Sequence, residues 1–228
     1  MFVASADVDN DGKDDIITGA GSGGGPHVRI FDGDHVLGSA PTLATLGEFM
    51  AYSPAFTGGV TVAAADMGGG DAGAEIVTGA GPGGGPHVRV IEPNGVDMAG
   101  SGEGFFAFSP AFHGGVNVAA DCTDGVPRIG VGTMRDASRF AIFNPDRSQR
   151  DAGLEQVPES AGQSGESVAL GALSDEQAGQ PVQLVTGFSG ADDTAQVAIW
   201  RNPTSQGPLA EFDAYAVLIR VNVAVAYL

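Results

Sequence analysis

Short runs of apolar and β-branched residues, about four to seven residues long, alternate along the chain with clusters of Gly, Pro, Asn and Asp. Within the runs, apolar and polar positions alternate with the period of two that is typical of β-strands, and no helical period is evident. Between residues 60 and 110 this pattern predicts four strands, at 60–65, 75–78, 87–91 and 105–108.

The chain repeats itself. Gly19-Ala-Gly-Ser-Gly-Gly-Gly-Pro-His-Val-Arg29 recurs 60 residues later as Gly79-Ala-Gly-Pro-Gly-Gly-Gly-Pro-His-Val-Arg89, and the Ser-Pro-Ala-Phe at 53–56 recurs at 109–112. Weaker copies begin at residues 116 and 167, and a fifth opens at 221. The predicted repeats are 2–59, 60–115, 116–165 and 166–220, with an extra strand at 221–228.

Four short strands in each unit of 50 to 60 residues indicate an all-β fold, a β-propeller of about four four-stranded blades. A β-sandwich would lack such regular recurrence. The units form either a small closed ring or part of a larger one. The extra strand would repeat the role of the first strand, so self-association through an open strand edge is an alternative way to complete the ring.

Composition limits the function. The 228 residues include 37 Gly and 13 Pro, which disfavours long helices, whereas 43% hydrophobic residues are enough for a core. A net charge of −18 and a single lysine, Lys13, argue against nucleic acid as a partner. The lone Cys122 excludes an internal disulfide and a multi-cysteine zinc site. No apolar stretch is long enough to span a membrane, and no secretory signal is visible at the start.

An acidic loop in the first repeat is the most specific candidate site in the sequence. Asp7, Asp9, Asp11 and Asp15 stand at relative positions 1, 3, 5 and 9, and Gly12 permits a sharp turn at position 6. Hard oxygen ligands in such a loop favour Ca2+, with the Lys13 carbonyl as a further ligand at position 7. The alternative is a solvated acidic turn without an ion.

The acidic pattern weakens in the later repeats. The second repeat keeps Asp66, Asp71 and Glu75 but has Gly68 at position 3, which predicts a weaker second calcium site. In the third repeat Arg128 replaces the closing carboxylate, and the fourth repeat lacks the spacing.

The acidic loop and the Gly-Gly-Gly-Pro-His-Val-Arg segment together resemble the FG-GAP and VCBS-type repeats of extracellular bacterial proteins, which are related to the propeller repeats of integrin α subunits. The resemblance is strong over residues 1–116 and diffuse over 117–228. It implies a calcium-stabilised, non-enzymatic propeller of a secreted or surface protein that serves adhesion or binds a protein or glycan on a cell surface. It also implies the calcium ligands Asp7, Asp9, Asp11, Lys13 and Asp15.

Other residues are candidates for ligand binding. The pairs His27 with Arg29 and His87 with Arg89 each project to one strand face and form a cationic recognition spot, or else hydrogen-bond to neighbouring loops. A carbohydrate-binding, lectin-like propeller is the alternative function, with Trp200 or Tyr52 as stacking platforms. The paired aromatics, such as Phe49 with Tyr52, are otherwise expected to fill the space between blades.

Two enzyme-like patterns carry little weight. Gly19-x-Gly-x-x-Gly24 matches a dinucleotide-binding fingerprint, but a strand follows it where that fingerprint needs a helix, so a tight hairpin is expected. No nucleophile or metalloprotease motif is present, and Asp192 and Asp193 are adjacent in sequence, which suits acid–base catalysis poorly. A polysaccharide-active enzyme is therefore the least favoured alternative.

Overall fold

The protein is described from a computed structural model. The described residues are 1–35, 44–70, 73–123, 125–135, 139–147, 167–171, 183–189, 195–200 and 210–215. The predicted extra strand at 221–228, and with it the idea of self-association through its edge, lies outside this part of the chain.

The described residues form an all-β fold of four antiparallel sheets, each built from consecutive strands. Sheet 1 contains β1 (Phe2–Ala6), β2 (Asp15–Gly19), β3 (His27–Phe31) and β4 (Thr45–Met50). Sheet 2 contains β5 (Val60–Ala65), β6 (Glu75–Ala80), β7 (His87–Ile91) and β8 (Phe105–Phe106). Sheet 3 contains β9 (Val116–Asp121), β10 (Arg128–Thr133) and β11 (Phe140–Phe143). Sheet 4 contains β12 (Ser167–Gly171), β13 (Gln183–Ser189), β14 (Ala195–Trp200) and β15 (Ala210–Tyr215).

The strands predicted in the second repeat are present, with two differences. β6 continues to Ala80, two residues beyond the predicted end, and it is buried along its whole length. β8 ends at Phe106, two residues early. The chain leaves the sheet there because it turns into the Ser-Pro-Ala-Phe segment that leads to the next sheet.

Strand register repeats from sheet to sheet, as internal repetition requires. Thr18 pairs with Arg29 in sheet 1, and Thr78 pairs with Arg89 in sheet 2. The outer strands show the same regularity, in the pairs Val28 with Phe49, Val88 with Phe105 and Val197 with Phe212. The Gly-rich segment after β2 is a hairpin leading into β3, which confirms that it is not followed by a helix.

The sheets pack in the order of the sequence. β5 packs against both β1 and β9, and β9 packs against β12. Ile17 and Ile76 share the core between sheets 1 and 2, and Val77 and Ile129 share the core between sheets 2 and 3. Small and β-branched residues fill these layers, as predicted for inner strands. Sheet 2 is covered on both faces, so β6 is buried at all six positions, whereas sheet 1 leaves Val3 59% exposed.

Close approach of the sheets explains a glycine at the end of β2. A Cβ atom on Gly19 would collide with the backbone carbonyl of Val60 in the next sheet. The neighbouring Ala20 carbonyl accepts a hydrogen bond from the Val60 amide at 2.9 Å, so the two backbones are in direct contact. Only glycine allows this approach.

A cavity of about 550 Å³ lies where the first strands of the four sheets converge. Phe2, Val62, Val118 and Val168, one from each of β1, β5, β9 and β12, contribute to its wall. One strand of each described sheet therefore borders the same cavity. Within the described residues, no helix is long and apolar enough to cross a membrane.

Candidate metal centre

The acidic loop connects β1 to β2, where the sequence placed it. Its path depends on two residues in the left-handed region, Asn10 with φ 60° and Gly12 with φ 90°. Asparagine and glycine are the residues that adopt this conformation most readily. The resulting curl turns side chains at both ends of the loop toward one centre.

Three carboxylates meet at that centre. Oxygen atoms of Asp7, Asp9 and Asp15 all lie within 4.8 Å of one another. Ligands on opposite sides of a Ca2+ ion, each at about 2.3–2.6 Å, are separated by about 4.6–5.2 Å. The spacing and the hard oxygen chemistry of these three residues thus fit a calcium ion.

Asp15 is the buried anchor of the cluster, with 2% of its surface exposed. Its Oδ2 accepts a hydrogen bond from the Val8 amide at 3.1 Å, and its Oδ1 accepts one from the Gly33 amide at 2.9 Å. These bonds hold the carboxylate in one orientation and join the acidic loop to the turn after β3. The contribution of Gly33 has no signal in the sequence, since it depends on the sheet register.

Asp7 and Asp9 orient the loop backbone. Asp7 accepts hydrogen bonds from the Asp11 amide at 3.1 Å and from the Gly12 amide at 2.9 Å. Asp9 also accepts a bond from the Asp11 amide, at 3.2 Å. Because these donors use only part of each carboxylate's capacity, lone pairs remain for a cation.

Repulsion within the cluster acts on the carboxylate of Asp9. Its pKa is raised by desolvation and then by the negative charges of Asp15, Asp11 and Asp7. A bound cation would reverse this unfavourable field.

Asp11 and Lys13 make contacts of their own beside the group of three. Asp11 lies outside the group of three, and its Oδ1 accepts a hydrogen bond from the Lys13 amide at 2.9 Å. The Lys13 ammonium contacts Asp34 and lies 3.8 Å from Asp11 Oδ2. Asp34, on a single 3-10 turn (Gly33–His35), had not been singled out from the sequence.

The corresponding loop of sheet 2 is organised by one buried carboxylate. Glu75 is fully buried and accepts hydrogen bonds from the Met67 amide at 2.6 Å and the Gly69 amide at 2.9 Å. Burial raises its pKa. Asp66 accepts a bond from the Gly68 amide at 2.9 Å, and Asp71, the other residue of the predicted second site, lies outside the described residues.

In sheet 3 an ion pair stands at the same place. Arg128 occupies the position of Asp15 and Glu75 at the start of the second strand, and its guanidinium lies 3.8 Å from Asp121. Both side chains are buried. The prediction that a cation replaces the closing carboxylate here is confirmed.

The four His and Arg candidates have partners within the protein. In sheet 1, Glu48 lies 3.4 Å from His27 and 3.3 Å from Arg29. In sheet 2, Arg89 forms a two-point ion pair with Asp97, and the ring of His87 contacts the Glu103 carbonyl at 3.0 Å.

Of the aromatic candidates, Tyr52 and Phe49 pack within the described sheets, whereas the side chain of Trp200 is not described. Tyr52 donates its hydroxyl proton toward the backbone carbonyls of His87 at 2.9 Å and Thr78 at 3.1 Å, so it bridges sheets 1 and 2. Phe49 packs on the same core, as expected for a residue between blades. Trp200 ends β14, and its side chain, like the pair Asp192 and Asp193, lies outside what the structure describes.

Comparison with protein families identifies the first repeat. Residues 1–36 match the family model of the FG-GAP repeat, which confirms the resemblance drawn from the acidic loop and the Gly-rich hairpin. FG-GAP repeats typically form non-enzymatic interaction modules. A search of curated proteins found no match to the chain.

Proposed function

We propose that this protein is a calcium-stabilised β-propeller module that binds other molecules without catalysing a reaction. The observation that carries the proposal is the convergence of Asp7, Asp9 and Asp15 in an FG-GAP-type repeat. The packing of successive sheets around a shared cavity supports a propeller arrangement.

Calcium would act on the contact between two sheets. The backbone carbonyl of Asp7 accepts a hydrogen bond at 2.9 Å from the Ala74 amide, which belongs to the loop before β6. Val8, next in sequence, is 6% exposed and lies in the core shared by sheets 1 and 2. An ion that fixes Asp7 and Asp15 therefore also fixes the residues that hold sheet 1 against sheet 2.

Thermal unfolding tests this role. We expect the melting temperature of chelator-treated protein to rise when Ca2+ is added, because an ion that binds only the folded state stabilises it by mass action. Mg2+ at the same concentration should raise the temperature less, since it demands a smaller and more rigid site. Equal melting temperatures in calcium and chelator would contradict the proposal.

Adhesion on a cell surface is the second part of the proposal. FG-GAP repeats occur in extracellular proteins, where millimolar calcium suits a loop with few ligands. Labelled protein is expected to bind intact cells in calcium and to lose that binding in chelator. Flow cytometry would measure this, with an Asp15→Asn variant as the control for effects of the chelator on the cells.

A further inference from the structure

A pocket of about 500 Å³ lies at the junction of sheets 1 and 2. Its lining includes Tyr52 and Phe56, on the segment that joins β4 to β5, and His87 and Arg89 of β7. The pocket is at the end of β6 marked by Ala80, whereas the acidic loops adjoin the other end, about 17 Å away along the strand. It is therefore separate from the candidate metal centre.

Four aromatic rings form a continuous row beside the pocket. Phe56 meets Tyr52 edge to face at 6.0 Å between ring centres, Tyr52 meets His87 at 5.4 Å, and His87 meets Phe106 at 5.1 Å. Phe106 ends the row next to the pocket, outside its lining, with 52% of its surface exposed. An exposed ring held by a neighbouring ring is a ready platform for stacking.

The polar side of the pocket is formed by an ion pair whose two charges cancel. Arg89 Nε lies 2.9 Å from Asp97 Oδ1, and a terminal nitrogen of Arg89 lies 2.7 Å from Asp97 Oδ2. A further guanidinium N–H is directed to the Ala51 carbonyl. The guanidinium has five N–H donors, so donors remain beside carboxylate lone pairs. A site with hydrogen-bond donors and acceptors side by side suits hydroxyl groups, which both donate and accept hydrogen bonds.

The charge balance narrows the ligand class. Burial lowers the pKa of His87, so its ring is neutral at neutral pH. Glu103 lines the pocket and forms no ion pair among the described residues, and the protein carries a net charge of −18. Anionic ligands are therefore disfavoured, and the remaining choice lies between a neutral polyhydroxyl ligand and an organic cation.

We propose that this pocket and the exposed ring of Phe106 beside it bind the pyranose ring of a neutral saccharide, with Phe106, which adjoins the pocket through His87, as the stacking platform and the Arg89–Asp97 pair as the hydrogen-bonding edge. The stacked row and the neutral donor–acceptor pair favour a saccharide over a cation, which would use Glu103. The proposal goes beyond the calcium-dependent scaffold and does not depend on it.

Saturation-transfer NMR with methyl glycosides of glucose, galactose, mannose, fucose and N-acetylglucosamine tests the proposal on the full chain. We expect at least one glycoside to bind, and Phe106→Ala to weaken that binding about fivefold or more. Met50→Ala is the matched control, since Met50 pairs with His27 as Phe106 pairs with His87 and is similarly exposed at 48%. It should leave the affinity unchanged.

The variant Glu103→Gln distinguishes a neutral saccharide from an organic cation as the ligand. A neutral saccharide should bind this variant with an affinity within about twofold of the unchanged protein, because its edge contacts involve Arg89 and Asp97. Failure of every glycoside to bind, equal binding by Phe106→Ala, or binding of methylammonium but of no glycoside would overturn the proposal. Asp15→Asn should retain saccharide binding, so loss of the calcium site and loss of this site are distinguishable.

Discussion

The acidic loops of sheets 1 and 2 share a framework but differ in charge. In each, the carboxylate that begins the second strand accepts a hydrogen bond from an apolar residue of the loop, Asp15 from Val8 and Glu75 from Met67. Val8 and Met67 are both buried in the core shared with the following sheet. The buried carboxylate thus has a structural role in both repeats, whether or not an ion is bound.

The difference lies in the carboxylates around that anchor. In sheet 1, Asp7 and Asp9 converge on Asp15 and leave a concentrated negative charge. In sheet 2, Gly68 replaces the residue equivalent to Asp9, and Glu75, longer by one methylene, reaches the Gly69 amide as well. Backbone donors satisfy Glu75 in the second loop, whereas the first loop gains most from a cation.

The largest expected effect comes from Glu75→Ala. The change leaves the amides of Met67 and Gly69 without their acceptor, and each unsatisfied buried donor costs about 1–3 kcal/mol. We expect the free energy of unfolding in urea to fall by about 3 kcal/mol, equally in calcium and in chelator. Glu48→Ala is the exposed control and should have little effect. A loss that calcium repairs would show that sheet 2 also depends on an ion.

Asp15→Asn should affect calcium more than it affects the fold. The amide oxygen can still accept one of the two backbone hydrogen bonds, but the charge is lost. Calcium at about 100 times its dissociation constant should stabilise the unchanged protein by about 2.7 kcal/mol, and the variant by far less. Denaturation in calcium and in chelator measures both. Asp14→Asn, which removes a neighbouring exposed charge, should keep the full calcium response.

The variant Asp9→Asn tests whether Asp9 acts only as a calcium ligand or also stabilises the fold. Asp9 is exposed, and its pKa is raised by desolvation and by its acidic neighbours, so its removal relieves repulsion when no calcium is bound. Calcium affinity should fall on the order of tenfold, because affinity follows the number of charged ligands. The melting temperature in chelator should stay equal or rise. A lower melting temperature in chelator would show that Asp9 has a structural role without calcium.

The smallest effect is the pH dependence of Glu75. Because burial raises its pKa above 4.5, the folded protein retains the Glu75 proton at a pH where the unfolded chain has lost it. The stabilisation that comes from this retained proton is present at pH values below the pKa of Glu75 in the unfolded chain. It is lost as the pH rises through the pKa of Glu75 in the folded protein. The stability of Glu75→Gln relative to the unchanged protein should therefore increase across that range. A difference that is constant with pH would contradict this account.

The sequence predicted the strands and the acidic loop because both depend on local signals. Period-two alternation and recurring Gly-rich turns give strand positions directly, and the spacing from Asp7 to Asp15 follows from a single loop. The length of β6 was underestimated because its last residues are small and are buried by neighbouring sheets. Tertiary packing, which has no local signal, decides such strand ends.

Contacts between residues that are distant in the sequence were beyond prediction. The link from Gly33 to Asp15 and the row from Phe56 to Phe106 join residues that lie 18 and 50 positions apart. Glu75 shows the same limit, since the residue pattern does not reveal its full burial or its hydrogen bonds from the Met67 and Gly69 amides. A residue pattern shows which ligand atoms are available, but it does not show which other groups form hydrogen bonds with those atoms.

The central claim is that one calcium ion joins Asp7, Asp9 and Asp15. Calorimetric titration of chelator-treated protein with CaCl2 tests it most directly, using the unchanged chain, Asp15→Asn and the folded Glu75→Gln variant. We expect saturable heat with about one ion per chain, absent in Asp15→Asn and retained in Glu75→Gln. The absence of heat from the unchanged chain, or full binding by Asp15→Asn, would contradict the claim.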